Sequence, residues 1–375
     1  MKTRTHFSSA LLRPLPLLIA LSAAGAQAQT PGVAQAVESV VGKTYSGSAA
    51  NAGMALEQIA ALPGEVAPFA LSFKEWNAKE LAGRPRIAVP SYGVSFIRSA
   101  EAFASTASAG GLLSSARRAV KYQTALAGVK EDLFPQLADE AYADLVKRFA
   151  DAGIDVVPQE DFRAALDVAD IWVEGNRSQG SRKLDGRADK GWSVHGARAA
   201  PLLKGMSMDS MFGMPGSLGA VQNAGVSVNA VTVHPLLVLD YIALDSSGNS
   251  TFARNASISA NTVFSISPAS RVDFGYKEKK MPGTGYGGAL TLEGPVASNE
   301  PFAAIAETED RSDNTAVHNA LALVGFGSVY KQSKVFAVEA AEKRYIALAR
   351  AAYRSFNQAI VDQVRKARAS GTPSS

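Results

Sequence analysis

Residues 131–152 limit the possible folds more than any other stretch of this chain. Phe134, Leu137, Ala141, Leu145 and Phe149 recur at spacings of three and four, which puts them on one side of a helix. Asp132, Asp139, Glu140 and Asp144 lie mostly off that stripe. Pro135 suits a helix only near the first turn, where no hydrogen bond is lost. Gly153 stands where a left-handed residue ends a helix. Residues 154–157 are mostly β-branched and predict a strand, and 160–169 predict another helix. A one-sided helix must lay its stripe on a second layer, and this order of elements makes that layer a sheet.

The rest of the chain supplies the sheet. Residues 86–90 read as a short apolar strand extended by 92–97, with Pro90 at an edge or a strand end. A Ser/Ala/Gly loop is expected over 99–111. Residues 112–127 read as a helix whose Arg117, Arg118 and Lys121 keep one face wet. Residues 172–222 are polar and glycine-rich and predict a long central loop. That loop carries a charge cluster (Arg182, Lys183, Asp185, Arg187, Asp189, Lys190) and four methionines (Met206, Met208, Met211, Met214). Strands are expected over 226–233 and 236–244, then a turn at Asp245, Ser246, Ser247, Gly248 and Asn249, then a return strand over 250–267. The second half of that strand alternates. Ala256, Ile258, Ala260, Thr262, Phe264 and Ile266 share one face; Ser257, Ser259, Asn261, Ser265 and Ser267 share the other, broken only by Val263. The pattern predicts one buried and one wet face. A glycine-rich loop follows over 283–294.

A last helix is expected over 338–368, with Tyr345, Leu348, Ala352, Phe356, Ala359, Ile360 and Val364 as its apolar stripe. Arg365, Lys366 and Arg368 suit its negative end. The expected fold class is therefore α+β: a mixed sheet with flanking helices, a hairpin-rich second half and a long C-terminal helix. Residues 84–368 form the domain. An Ala/Gly/Ser-rich extension over 29–83, with short amphipathic stretches at 33–41 and 54–62, is expected to pack loosely on it. A flexible tail is expected over 369–375.

The first 28 residues have a different character. Lys2 and Arg4 precede an apolar core of about ten residues, which ends in Ala26, Gln27 and Ala28, a small-residue cleavage site. A spanning helix needs about 20 residues, so this reads as a removable export signal. The chain has no cysteine. It therefore has no thiol to carry a lipid anchor and no disulfide, and the core alone must hold the fold. Of the 38 basic residues, Lys2, Arg4 and Arg13 lie in the leader, leaving 35 against 34 acids and a net charge of +1 beyond it. A near-neutral chain argues against a nucleic-acid binder. No later apolar run is long enough to span a membrane as a helix.

Catalytic patterns are sparse. Gly205, Met206, Ser207, Met208 and Asp209 lack the second glycine of a nucleophile elbow. Ser328 and Lys331 fit a loose S-x-x-K spacing without its partner motifs. Gly42, Lys43 and Thr44 lack the upstream glycine of a phosphate loop, and the glycines from Gly283 to Gly288 precede no helical pattern. His195, His234 and His318 are far apart. Glu307, Glu309, Asp310 and Asp313 form an acidic patch that reads first as a solvated loop face. No catalytic, cofactor or metal site is assigned. If the chain were a hydrolase, the candidate groups would be Asp240 or Glu307 with His234.

Three strings together resemble a known family. RPRIAVPSYGV (84–94), LADEAYADLVKRFADAG (137–153) and IDVVPQEDFRAAL (154–166) look like the start of the TolB amino-terminal domain and of the CsgG-like curli-secretion family. The resemblance covers about half of the chain beyond the leader. It implies a strand–helix–strand–helix fold and an envelope role. Secretion proteins of that family are usually lipidated at an amino-terminal cysteine, which is absent here. The expectation is an exported, non-enzymatic periplasmic or outer-membrane-associated protein, an assembly, scaffold or secretion-accessory component working through protein contacts and possibly self-association. A secreted hydrolase of an envelope polymer and an oligomeric secretion channel are the alternatives. Membrane association is allowed, and the strand over 256–266 is long enough to line a barrel, although a half-buried soluble strand is the expected form.

Overall fold

The computed structural model describes residues 54–105, 119–168, 171–184, 188–204, 215–247, 257–307 and 333–370. The fold is α+β: five helices flank one mixed sheet of thirteen strands among the described residues. Its spine is β7 (Ala230–Ser247), eighteen residues long. Along one side of β7 run β2 (Arg86–Ala88) and β3 (Gly93–Ser105), both parallel to it. Ala88 faces Thr232 and Gly93 faces Leu236, so five steps on one side meet four on the other. The extra residue falls at 89–92, where Pro90 has no N–H for the ladder. Along the other side run β8 (Ser257–Ile266) and β9 (Arg271–Tyr276), both antiparallel to β7. Ile266 faces Leu239 and Arg271 faces Leu236, so these too are one strand, interrupted by a bulge at 267–270. Val238 N donates to Ser270 Oγ there at 2.9 Å.

Beyond Phe96 and Leu239 the sheet forks. β3 exchanges β7 for β4 (Ala119–Ala127) and keeps β6 (Asp189–Gly196) on its other side. One branch therefore runs β5 (Arg177–Lys183), β6, β3, β4, β13 (Ser333–Ala340), β12 (Ala303–Glu307). The other arm is the β7–β8 hairpin with β11 (Val296–Ala297) on its outer edge. Strand directions decide where the hairpins turn. β3 and β7 are parallel, β4 and β13 are parallel, and β6 runs against β3. Hence the β3–β4, β5–β6, β7–β8 and β12–β13 connections all leave the sheet at one end. The β9–β10 connection lies at the opposite end, where β10 (Tyr286–Leu292) turns back toward β1 (Phe73–Trp76).

Helices α2 (Leu133–Asp151) and α5 (Glu342–Ser370) cover one face. The expected stripe of α2 is fully buried, with Phe134, Ala141, Leu145 and Phe149 at 0% exposure. Phe134 packs on Phe96 at 4.6 Å between ring centres. Arg350 bonds Glu140 through two 2.9 Å contacts, and Asn357 Nδ2 donates to Ala141 O at 2.8 Å, so α5 is tied to α2. On the other face, α3 (Gln159–Ala164) and α4 (Pro215–Ser227) enclose a second core in which Phe162, Val221 and Ala224 meet Ala88, Ala230 and Leu203.

Several expectations change. Residues 119–127 are the strand β4, not helix; their Ala, Leu, Lys and Gln favour a helix locally, but β3 and β13 hold the backbone extended. β3 continues to Ser105, through the first part of the expected loop 99–111. The central loop over 172–222 holds the β5–β6 hairpin and the start of α4. Helix α4 runs to Ser227, so the strand expected from 226 begins at Ala230 and passes through Pro235 as one element. Residues 154–157 contribute one bridge, Ile87 to Val156, in place of a strand. Residues 338–340 belong to β13, and the last helix starts at Glu342. Residues 54–83 are not a loose extension: β1 pairs with β10, and Ile59, Phe69, Phe73 and Leu81 are buried. From Val263 onward the expected wet face of β8 is covered as well. Val263 and Ser265 are as buried as Phe264 and Ile266, and Val263 packs with Ala243 and Ala297. Asp245, Ser246 and Ser247 of the expected turn extend β7; the leader, residues 29–53, residues 248–256 and the tail 371–375 lie outside the described residues.

Candidate functional site

Two polar clusters built on a buried cation stand out, both beside the fork. The first joins its two arms. Lys190 of β6 places Nζ 3.0 Å from Asp240 Oδ2 and donates to Ile242 O at 2.6 Å. The two side chains are 1% and 6% exposed. Asp240 Oδ1 accepts the backbone N–H groups of Tyr241 (2.8 Å) and Ile242 (3.2 Å), and so closes the bulge at which β7 departs from regular pairing. Tyr241 Oη lies 2.8 Å from Thr124 Oγ1 on β4. Burial pushes the Tyr241 hydroxyl well above its ordinary range. Every group here is spent on the fold, so the cluster is a tie between arms.

The second cluster sits at the start of α2. Arg98 is the bulged residue between Ile97 and Ser99, and it is 4% exposed. Its guanidinium lies 4.3 Å from the centre of the Phe134 ring and clamps Glu131 with both terminal nitrogens. Arg177 approaches the same carboxylate at 4.0 Å. Partial burial pushes the Glu131 carboxyl up, but the bonds and charge of Arg98, with Arg177 and His195 beyond it, outweigh this and hold it below the usual range. His195 faces Arg177 across the β5–β6 ladder. Burial, then the Arg177 charge, lowers the imidazole to about 4, against a smaller upward pull from Glu131. It is therefore neutral at neutral pH.

His195 Nε2 is 3.3 Å from Ser193 Oγ, which raises the question of a serine nucleophile. The geometry does not serve one. Ser193 is 2% exposed, and among the described residues no carboxylate bonds the imidazole to orient it, since Glu131 is taken by Arg98. An acyl-transfer serine needs an open approach and an oriented base.

The groups proposed for hydrolysis are not brought together. His234 lies on β7 opposite Asp273, 1% exposed, with neither ring nitrogen hydrogen-bonded. Burial lowers it to about 3. Asp240 is six residues further along the same strand, roughly 20 Å away. Glu307 ends β12, separated from β7 by β3, β4 and β13. The remaining acidic-patch residues Glu309, Asp310 and Asp313 lie outside the described residues, as do Ser207 and the four methionines, Ser328 with Lys331, His318, and Gly42 to Thr44. Glycines 283–288 lead into β10 and no helix follows. No group of three or more metal-ligating side chains is assembled among the described residues. A surface groove between residues 64–71 and α5 carries Arg148 and Arg350 on its wall, but Asp144 and Glu140 already hold them.

Sequence reasoning missed both clusters. Their signal was present: Asp240 interrupts the apolar run around it, and Arg98 follows one. Charges in such positions mark buried pairing.

Comparison with protein-family models, curated proteins and solved structures finds no match to this chain. No helix among the described residues is long and apolar enough to cross a membrane.

Proposed function

We propose that this is an exported envelope protein, non-enzymatic, that serves as an assembly, scaffold or secretion-accessory component through protein contacts at the hairpin end of its sheet. The observation that carries this reading is the gathering of four hairpin connections at one end. The strand ends from which these four connections leave stand side by side on one sheet, and loops held by a scaffold are where recognition concentrates. The leader and the family resemblance supply the compartment and the envelope role. A photo-crosslinking residue at Lys183, exposed at that end, tests the idea in intact cells against one at Lys147 on the outer side of α2. Discrete crosslinked products from position 183 and none from 147 are expected. Equal or absent crosslinking at both positions would overturn the proposal.

A second reading has one observation in its favour. Among the described residues the branch ends in two strands, β5 and β12, that each pair on one side. Open edges on a sheet whose hairpins share a direction suit a ring-forming channel. Light scattering on the chain from Gln29 distinguishes the two. A particle that stays monomeric or small without detergent supports the contact protein, and detergent-dependent rings support the channel.

A further inference from the structure

We propose that the half-open face of β1, β10 and β9 is a binding platform for a glycan, taking neutral hexopyranose rings. The strand register assembles it. Trp76 faces Ala289, Ala289 faces Asp273 and Asp273 faces His234, one row across four neighbouring strands. Cross-strand partners share a face of the sheet, as do residues two apart on one strand. The row of Lys74, Thr291, Arg271 and Leu236, two residues along, therefore lies on the same face. Exposure follows this pattern. Leu290 and Leu292 of β10 are buried on the side of α5, while Gly287, Ala289 and Thr291 between them are half-buried on the other. Trp76, on the edge strand, is 54% exposed. A Cβ on Gly287 would meet only the Phe274 carbonyl oxygen, so the space over the small residues beside Trp76 is open.

The side chains supply the two things a pyranose needs. Its C–H groups make one side of the ring apolar, and that side settles on the electron-rich face of an aromatic ring, which Trp76 offers. Its hydroxyls need polar partners held in fixed positions. Arg271 Nε donates to Asp273 Oδ2 at 2.9 Å and so fixes the carboxylate. The other oxygen, Oδ1, has no hydrogen-bond partner among the described residues, and His234, next in the row, bonds nothing with either ring nitrogen. Asp273 keeps 22% of its side chain exposed, so a sugar hydroxyl can donate to Oδ1. The exposed Lys74 ammonium donates from the adjacent row. Trp76 and Asp273 stand two strands apart, roughly 10 Å, so a ring on the indole is followed by the next ring at the carboxylate. A nucleic acid would also stack on an indole. Within these two rows, however, Lys74 is the one exposed cation and Asp273 is the acid beside it, too little positive charge to hold phosphates. The inference does not depend on the contact function proposed above.

The test is titration of the purified chain from Gln29 with maltohexaose, cellohexaose and chitohexaose, read by calorimetry and by tryptophan fluorescence. Binding of at least one is expected, with an emission change that Trp76→Ala abolishes. Trp76→Ala should weaken binding about tenfold through loss of the aromatic face, and Trp76→Phe should keep part of it. Asp273→Asn should weaken binding about tenfold by removing a charged acceptor. Tyr286→Ala should leave binding unchanged: Tyr286 is almost as exposed, at 53%, but its register puts it on the opposite face. Trp76 and Tyr286 are exposed, so both alanine variants should keep the urea midpoint of the parent, which separates a lost contact from a lost fold. No binding to any of the three sugars at millimolar concentration overturns the proposal. So does binding that Trp76→Ala leaves intact, binding that falls equally in Tyr286→Ala, or retention of an oligonucleotide with no sugar bound, which would assign the indole to base stacking.

Discussion

Replacing Asp240 by Asn separates the charge of the buried tie from its hydrogen bonds. Asparagine keeps an oxygen in the position of Oδ1, so the N–H groups of Tyr241 and Ile242 remain satisfied and the bulge stays closed. Only the counter-charge for Lys190 is removed, at a site where that side chain is 1% exposed. Removing one partner of a buried ion pair typically costs about 3–5 kcal/mol. The expected loss is therefore about 3–5 kcal/mol, seen as a lower urea midpoint with an unchanged slope. Adding Lys190→Met should restore most of it, since a methionine fills the same space without a charge. A loss under about 1 kcal/mol for Asp240→Asn alone, or a double variant no better than the single one, would refute the claim that the pair is desolvated and coupled.

Further outcomes follow from local geometry and are read by urea denaturation. Gly128→Ala should cost about 3 kcal/mol or more, because φ is +79° and a Cβ would strike the Ala340 carbonyl, whereas Gly153→Ala, at φ +68° in open space, should cost only about 1–2 kcal/mol. Leu145→Ala in the buried stripe of α2 should cost about 3–5 kcal/mol, and a loss near zero would contradict its burial. His234 stays neutral in the fold down to about 3 and takes a proton near 6.5 when unfolded. Its depressed value means the stability it lends is present above pH 6.5 and drains as pH falls toward 3, by about 1.4 kcal/mol per unit. His234→Leu should therefore close the gap on the parent by about 2 kcal/mol between pH 7 and pH 5, and parallel pH profiles would disprove this.

Part of the candidate chemistry can be placed in the fold. His234 and Asp240 look close in the sequence, yet an extended strand spreads six residues over roughly 20 Å. Ser193 and His195 do meet, through the two-residue period of one strand, but that period says nothing about access, and the pair is buried. The Arg98–Glu131 and Lys190–Asp240 pairs bridge separations of 33 and 50 residues. Nothing local reports such a meeting.

What the sequence determined by itself is what one element decides alone. The stripes of α2 and α5, the stop at Gly153 and the β7–β8 hairpin depend on spacing along a single helix or across one turn, and the chain carries that spacing wherever it goes. The tertiary structure decided the rest. Residues 119–127 suit a helix by composition, and become a strand because β3 and β13 offer hydrogen bonds on both sides. The second face of β8 is polar by pattern, and its Val263 and Ser265 are buried because β11 and its neighbours cover them. The fork itself, and with it the direction of every hairpin, comes from pairings between strands far apart in the chain. Such pairings form only when the loops between them close, so their cost and reward belong to the whole molecule and to no segment.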